Sequence, residues 1–267
     1  MTIIERNLFR LLRAGAFGQQ EPIEPLSAWK WQRLYQLALL HNVEALVYQG
    51  IVTCREQFFV QVPEELLSKW NDHVESQEEE NQMLTPGVLT NPLLNKRLQA
   101  ILDEEGTTTE TRSLLVQLTG IARFIMNAGV PVKRLAELAI FIRREGSRVD
   151  YDQIRLWTSQ LKMEGMVQLT ANLLVGMMHM KAEELPFATP ADMSVCKKML
   201  QGMLKLKNSH ATEWYFSQGK SIFVHTSNPS ALLWHVKRSA RYFHYFPAES
   251  MTNFASAFMH SLSHIEE

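Results

Sequence analysis

The sequence predicts an all-α protein, a multi-helix array with little or no β-sheet. Three observations predict it. Apolar residues recur at helical spacing along most of the chain, helix-starting and helix-stopping residues bracket those runs in order, and β-like runs are few. Only 58–62 and 221–225 read as short β-like runs. Neither belongs to an alternating series of strands and helices, so a parallel-sheet enzyme fold is not expected.

The elements follow from the N-terminus. Ile3, Ile4, Leu8, Leu11 and Leu12 fall on one helical face, and Thr2 with Glu5 fits a capping box. Arg6, Arg10 and Arg13 lie in this run, but no apolar h-region or small-residue cleavage site follows, so it reads as a first helix of the fold. Ser27 precedes a helix ending near His41, with Trp31, Leu34, Leu37 and Ala38 on its buried face, and His41 is expected to satisfy a backbone carbonyl there. A short helix over 43–51 follows. Pro63 takes a first-turn position ahead of Glu64 and Glu65, which favour the positive end of a helix dipole. Asn91-Pro92 opens a helix running to about Glu105, closed by Gly106.

The run 109–127 is long and amphipathic and stops at Gly129. Pro131 restarts the chain into a helix ending near Arg144. Asp150 and Gln153 cap the next, predicted to end at Gly165. The run 167–180 is apolar almost all round and belongs at the centre of a core. Met163, Met166, Met177, Met178, Met180, Met193, Met199 and Met203 crowd this region and read as gap-filling core. Pro190, Asn228-Pro229 and Pro247 open three further helices, the last with Phe254, Phe258 and Leu262 at helical spacing.

Composition narrows the function classes. The 267 residues are 46% hydrophobic with a formal net charge of −1, so a sizeable core is available and no global field selects nucleic acid or an anionic membrane. No apolar stretch approaches a membrane span, and Cys54 and Cys196 are too few for a disulfide framework, which points to the cytoplasm. Charge is nonetheless uneven. Residues 56–110 hold twelve acids against three bases, and 193–246 hold eight bases against Glu213 alone. Two solvated faces that attract one another, within or between chains, account for this.

Candidate sites are sparse. Trp234, Lys237, Arg238, Arg241, Tyr242 and Phe243 form the densest basic-aromatic cluster, a mix that can bind phosphate, stack on single-stranded nucleic acid, or line an amphipathic helix. Nothing resembling a helix-turn-helix or RNP signature accompanies it, so a nucleic-acid partner is not expected. His260 and His264 have a metal-compatible spacing but no third ligand, and read as tail histidines. Gly146-Ser147-Arg148-Val149-Asp150-Tyr151-Asp152 carries a Gly-Ser and an Asp-x-Asp, the letters of a nucleotidyltransferase site, but only two residues separate the two parts where about ten are needed. A helix stop at Gly146 and a cap at Asp150 explain the same letters. No catalytic residue, metal ligand or cofactor is assigned.

Three stretches carry a family resemblance. The first runs Leu8-Phe9-Arg10-Leu11-Leu12-Arg13-Ala14-Gly15, then Trp31, Leu34, Leu37, Ala38 and His41. The second runs from Gly129-Val130-Pro131-Val132-Lys133-Arg134-Leu135 through Glu137 to Phe141, then Val149-Asp150-Tyr151, Gly165 and Leu185-Pro186-Phe187. The third is Arg241-Tyr242-Phe243-His244-Tyr245-Phe246-Pro247-Ala248-Glu249. In this order they resemble the helical flanks of an uncharacterised family of bacterial nucleotidyltransferases common among gut Bacteroidetes.

The resemblance implies a catalytic domain between the first and second stretches, with a glycine turn for phosphate and a strand whose alternate carboxylates hold Mg²⁺. The interval 84–106 has no such strand. The resemblance therefore implies an N-terminal helical part (1–83), a junction where the catalytic domain is missing (84–106) and a C-terminal helical part (107–267), together one unit. Lys133 and Glu137 stand in for a basic and acidic pair of the family, here one turn apart and read as a surface ion pair. A cleft between the halves that gathered Lys133, Arg134, Arg238 and Arg241 would make those four a ligand- or phosphate-binding set. The expected role is non-catalytic binding of a small ligand or a protein partner, such as a full-length relative. The alternatives are a degenerate nucleotidyltransferase and a phosphate- or RNA-binding module.

Overall fold

The computed structural model describes residues 1–77, 89–127, 129–189, 199–200, 240 and 242–263. Ten α-helices and no β-strand are found among these residues, so the all-α expectation holds. They are α1 (Ile3–Phe17), α2 (Ala28–Leu40), α3 (Glu44–Thr53), α4 (Glu64–Gln77), α5 (Pro92–Leu102), α6 (Thr109–Asn127), α7 (Val132–Glu145), α8 (Tyr151–Gln160), α9 (Glu164–Met178) and α10 (Pro247–Ser263). Short 3₁₀ turns at Gly146–Arg148 and Ala182–Glu184 follow α7 and α9. The predicted openings at Pro190 and Asn228-Pro229, and the β-like run 221–225, lie outside the described residues.

The helix ends show why these residues stop and start where they do. Thr2 Oγ1 accepts the Glu5 N–H at 3.3 Å while the Glu5 carboxylate accepts the Thr2 N–H at 2.8 Å, so both ends of the capping box form. Gly18 closes α1 in the left-handed region, φ 65°. The Asn91 side chain accepts from the N–H groups of Leu93 and Leu94, and Pro92 fills the first turn, where its missing donor costs nothing.

α1 is the hub. It packs against α2 and α3 on one side and against α7 and α9 on another, while α6 packs with α7, α8 and α9. Its buried face, Leu8, Leu11 and Leu12, meets Leu34, Val47 and Ile51 in a continuous apolar core. α9 is buried nearly all round, from Met166 to Met178, which bears out the central position expected for this run. Met163, Met166, Met177, Met178 and Met180 are all buried, as gap-filling residues should be.

Where α1 crosses α3, two glycines face the opposite backbone. A Cβ on Gly15 would lie 1.8 Å from the Leu46 carbonyl oxygen, and a Cβ on Gly50 would lie 1.9 Å from that of Leu11. Only glycine allows this approach.

Several boundaries differ from expectation. α5 ends at Leu102, before Glu105. α8 ends at Gln160, and the chain turns through Lys162 at φ 54° before α9 starts at Glu164. Gly165 is therefore no helix stop. It lies in the first turn of α9, where a side chain would come within 2.8 Å of the Tyr245 carbonyl oxygen. The run 58–62 is turn and irregular chain, with the Val60 N–H bonded to the Gln57 carbonyl at 2.9 Å.

α10 is tied to the start of α5. Glu249 is fully buried, and its carboxylate accepts the backbone N–H groups of Thr90 at 2.5 Å and Asn91 at 2.9 Å. Asn91 Nδ2 donates to Thr252 Oγ1 at 2.8 Å. A carboxylate at the positive end of a helix satisfies donors that the helix itself leaves open.

His41 departs from the role expected for it. It is buried, and its Nε2 has no hydrogen-bond partner among the described residues. Burial pushes its imidazole down to about 4. The unfolded chain takes up a proton near pH 6.5 that the folded chain refuses until about pH 4. The His41 contribution to stability should therefore be complete above neutral pH, be lost between about pH 6.5 and 4, and level off below, a loss of roughly 3 kcal/mol from this group. Denaturant unfolding across that range checks it, and His41→Phe should flatten this part of the profile.

Candidate functional site

The candidate set Lys133, Arg134, Arg238 and Arg241 is described only in half, because Arg238 and Arg241 lie outside the described residues. Lys133 is exposed in the first turn of α7. Arg134 folds back onto α6 instead of projecting outward. Its guanidinium lies 5.5 Å from the centre of the Phe124 ring, and its Nη1 fills the space left by the missing side chain of Gly120. The predicted Lys133–Glu137 ion pair does not form. Glu137 is half-buried, and burial pushes its carboxyl up against the opposing pull of Lys133 and Arg134.

The Asp-x-Asp segment does what its caps suggest. Asp150 Oδ1 accepts the Gln153 N–H at 2.9 Å, and the Asp150 N–H is bonded to Thr111 Oγ1 at 2.9 Å. Asp152 is exposed and paired with Arg155 on its own helix. No group of three or more metal-ligating side chains occurs among the described residues. Asp150→Ala should cost about 1 kcal/mol by removing the cap, whereas Asp150→Asn, an equally good cap, should leave the thermal midpoint nearly unchanged. Calorimetry on the pair separates capping from charge. His260 and His264 contribute no described side chain.

A cleft of ≈ 290 Å³ opens between the end of α7, the start of α8 and the second 3₁₀ turn. Arg143 forms one wall. Its Nε donates to Glu184 Oε1 at 2.8 Å, and its guanidinium lies 3.6 Å from the centre of the Phe17 ring. Burial pushes the Glu184 carboxyl up, but Arg143 and the Lys181 N–H outweigh it and hold it below its ordinary range. Tyr151 forms the opposite wall, stacked on Phe187 at 6.1 Å. A Cβ at position 146 would stand 2.7 Å from its hydroxyl, so Gly146 makes room for the phenol. Burial pushes that phenol's pKa up, so it stays neutral. Sequence reasoning missed this cleft. Arg143 and Glu184 are 41 positions apart, and no periodicity links them.

A second feature it missed is the strap 21–25, Glu-Pro-Ile-Glu-Pro. Glu24 receives Arg6 and Arg10, each within 2.7 Å, and the Arg6 guanidinium holds its carboxyl down at about 2. Glu21 receives Arg13. The strap backbone bonds to the side-chain amides of Asn7 and Gln57, and the Cys54 thiol donates to the Glu21 carbonyl oxygen at 3.7 Å. The signal was available: arginines at helical spacing and a Glu-Pro pair repeated three residues on.

On the surface, Phe58 is 78% exposed and Phe59 51%, with their rings edge to face at 5.4 Å. No described helix is long and apolar enough to cross a membrane. Comparison of the chain with protein-family models, with curated proteins and with solved structures gives no match.

Proposed function

We propose that the chain is a non-catalytic helical relative of the nucleotidyltransferases it resembles, and that it acts by binding a protein partner or a small ligand. The observation that carries this reading is the use made of Asp150, Asp152 and Arg134. The first caps α8, the second pairs with Arg155 and the third packs on Phe124. Side chains committed to caps and packing are poorly placed to hold Mg²⁺ and a triphosphate together. The exposed Phe58–Phe59 pair supports the partner arm, because aromatic anchors carry much of the energy of protein interfaces.

The test has two arms. Incubation with Mg²⁺ and each labelled nucleoside triphosphate should give no transfer to protein, RNA or small-molecule acceptors. Mg²⁺-dependent transfer that disappears in Asp150→Asn or Asp152→Asn overturns the reading. A partner that co-purifies stoichiometrically with the wild-type chain, and is lost from Phe58→Ser/Phe59→Ser, supports it.

A further inference from the structure

The strap 21–25 is held as a short linear peptide is held in a groove. Among the described residues, no backbone–backbone hydrogen bond involves 19–26. Side chains bind the strap backbone instead. Asn7, fully buried on α1, takes both polar groups of Glu24: its Nδ2 donates to the carbonyl at 2.7 Å and its Oδ1 accepts the N–H at 3.0 Å. Gln57, in the turn after α3, accepts the Ile23 N–H at 3.1 Å and donates to the Glu21 carbonyl at 2.8 Å. A side-chain amide carries both a donor and an acceptor, so it can match a main chain whatever side chains that chain bears. Ile23 is buried, while Pro22 and Pro25 are exposed. Each proline fixes its own φ and biases the glutamate before it towards extended backbone.

The groove is cationic once the strap's own acids are set aside. Arg6, Arg10 and Arg13 receive Glu21 and Glu24. Glu5 also acts on Arg6, with its carboxylate engaged at the Thr2 N–H, and His179 of α9 acts on Glu21. Arg55 and Glu56, beside Gln57 in the turn, are exposed and of opposite sign. Three arginines against Glu5 leave the groove selective for an acidic occupant. We infer that this groove, between α1 and the turn after α3, is a peptide-binding site filled here by the chain's own strap, and that its ligand is a linear segment of another protein reading acid, proline, aliphatic, acid, proline. A second copy's strap is tied at both ends to α1 and α2, so it is not the occupant assigned. Gln57 directly precedes the exposed Phe58 and Phe59, which places the aromatic pair at the same turn. The inference rests on the partner reading above and names what the partner presents.

A tethered strap competes at an effective concentration on the order of a millimolar, which sets the range of the test. Amide chemical shifts of the full chain would be followed on titration with the capped peptide of residues 20–26, Gln-Glu-Pro-Ile-Glu-Pro-Leu, and with the same residues in reversed order. The expected result is movement of residues 6–13, 21–24 and 54–57 with the first and none with the second. Strap and peptide compete for one groove, so the same substitution in each must act in opposite directions. Glu24→Gln should tighten peptide binding about fivefold, and glutamine at the matching position of the peptide should weaken binding to the wild type by the same factor, as a partly exposed ion pair allows. Arg10→Gln weakens both holds and should leave the affinity nearly unchanged. Glu24 is partly exposed, so Glu24→Gln should keep the fold, and the glutamine peptide needs no variant of the chain. No shifts at about ten millimolar peptide in both wild type and Glu24→Gln, equal shifts from the reversed peptide, or the two glutamine substitutions failing to act in opposite directions would overturn the inference. A failed titration alongside partner loss in the Phe58/Phe59 variant would leave the partner reading standing, so the two failures are distinguishable.

Discussion

Gly50→Ala will destabilise the protein by more than about 3 kcal/mol, although alanine is the better helix former by roughly 1 kcal/mol. The sign is set by the crossing of α1 and α3. The new methyl would stand 1.9 Å from the Leu11 carbonyl oxygen and 2.7 Å from its carbon, and both are backbone atoms of a helix that cannot rotate away. Relief requires the two helices to separate, which opens the packing of Leu11 and Leu12 against Val47 and Ile51. Gly15→Ala meets the same obstacle from the other side, at 1.8 Å from the Leu46 carbonyl oxygen. The two substitutions share one crossing, so the second should cost much less once the first has spread the helices, and the double variant should fall well short of additivity. Gly120→Ala is the control. Its nearest neighbour is Arg134 Nη1 at 3.1 Å, the tip of a flexible side chain, so the helix preference should win and stability should hold or rise. Urea unfolding of the four variants decides the matter. A Gly50→Ala protein as stable as wild type would mean that the crossing is not this close.

The contrast between these glycines shows what could be read from the sequence. Caps and periodicity are local, so Thr2, Asn91 and Asp150 announced their helices, and the observed elements begin beside them. Gly165 carries the same letter as a helix stop, yet its cause is the Tyr245 backbone 80 positions away, which no local pattern records. The candidate site suffered more from this limit. Lys133 and Glu137 have the spacing of an ion pair, but Glu137 is drawn into a half-buried position and the pair is not made. The cleft residues Arg143, Tyr151 and Glu184 come from three elements and meet only through the packing of α7, α8 and α9.

The strap held by α1 leads to the second large effect. Arg13 is buried, and its fork donates to Glu21 at 2.8 and 3.0 Å, while Nη1 reaches the Met177 carbonyl oxygen at 3.1 Å near the end of α9. One guanidinium thus joins the strap, α1 and α9. Arg13→Ala leaves the Glu21 carboxylate and a helix-end carbonyl without their donor, and should cost about 3–5 kcal/mol. Arg13→Met keeps most of the volume and still strands the carboxylate, so it should recover little. Arg13→Met/Glu21→Met removes both charges and should recover much of the loss, since what is costly is a half-buried carboxylate left without its partner. The Glu21 carboxyl is held below its ordinary range first by its hydrogen bonds to Arg13, so its contribution is present above the unfolded carboxylate pKa and fades as pH falls below it. That window overlaps the lower end of the one set by His41 and is shared with Glu24, so Glu21→Gln is the variant that isolates it. Strap opening has its own reporter in Cys54, buried beneath the Glu21 carbonyl. Thiol labelling should be slow in the wild type, fast in Arg13→Ala, and slow again in the double methionine variant. Equal labelling of all three would show that Arg13 does not hold the strap.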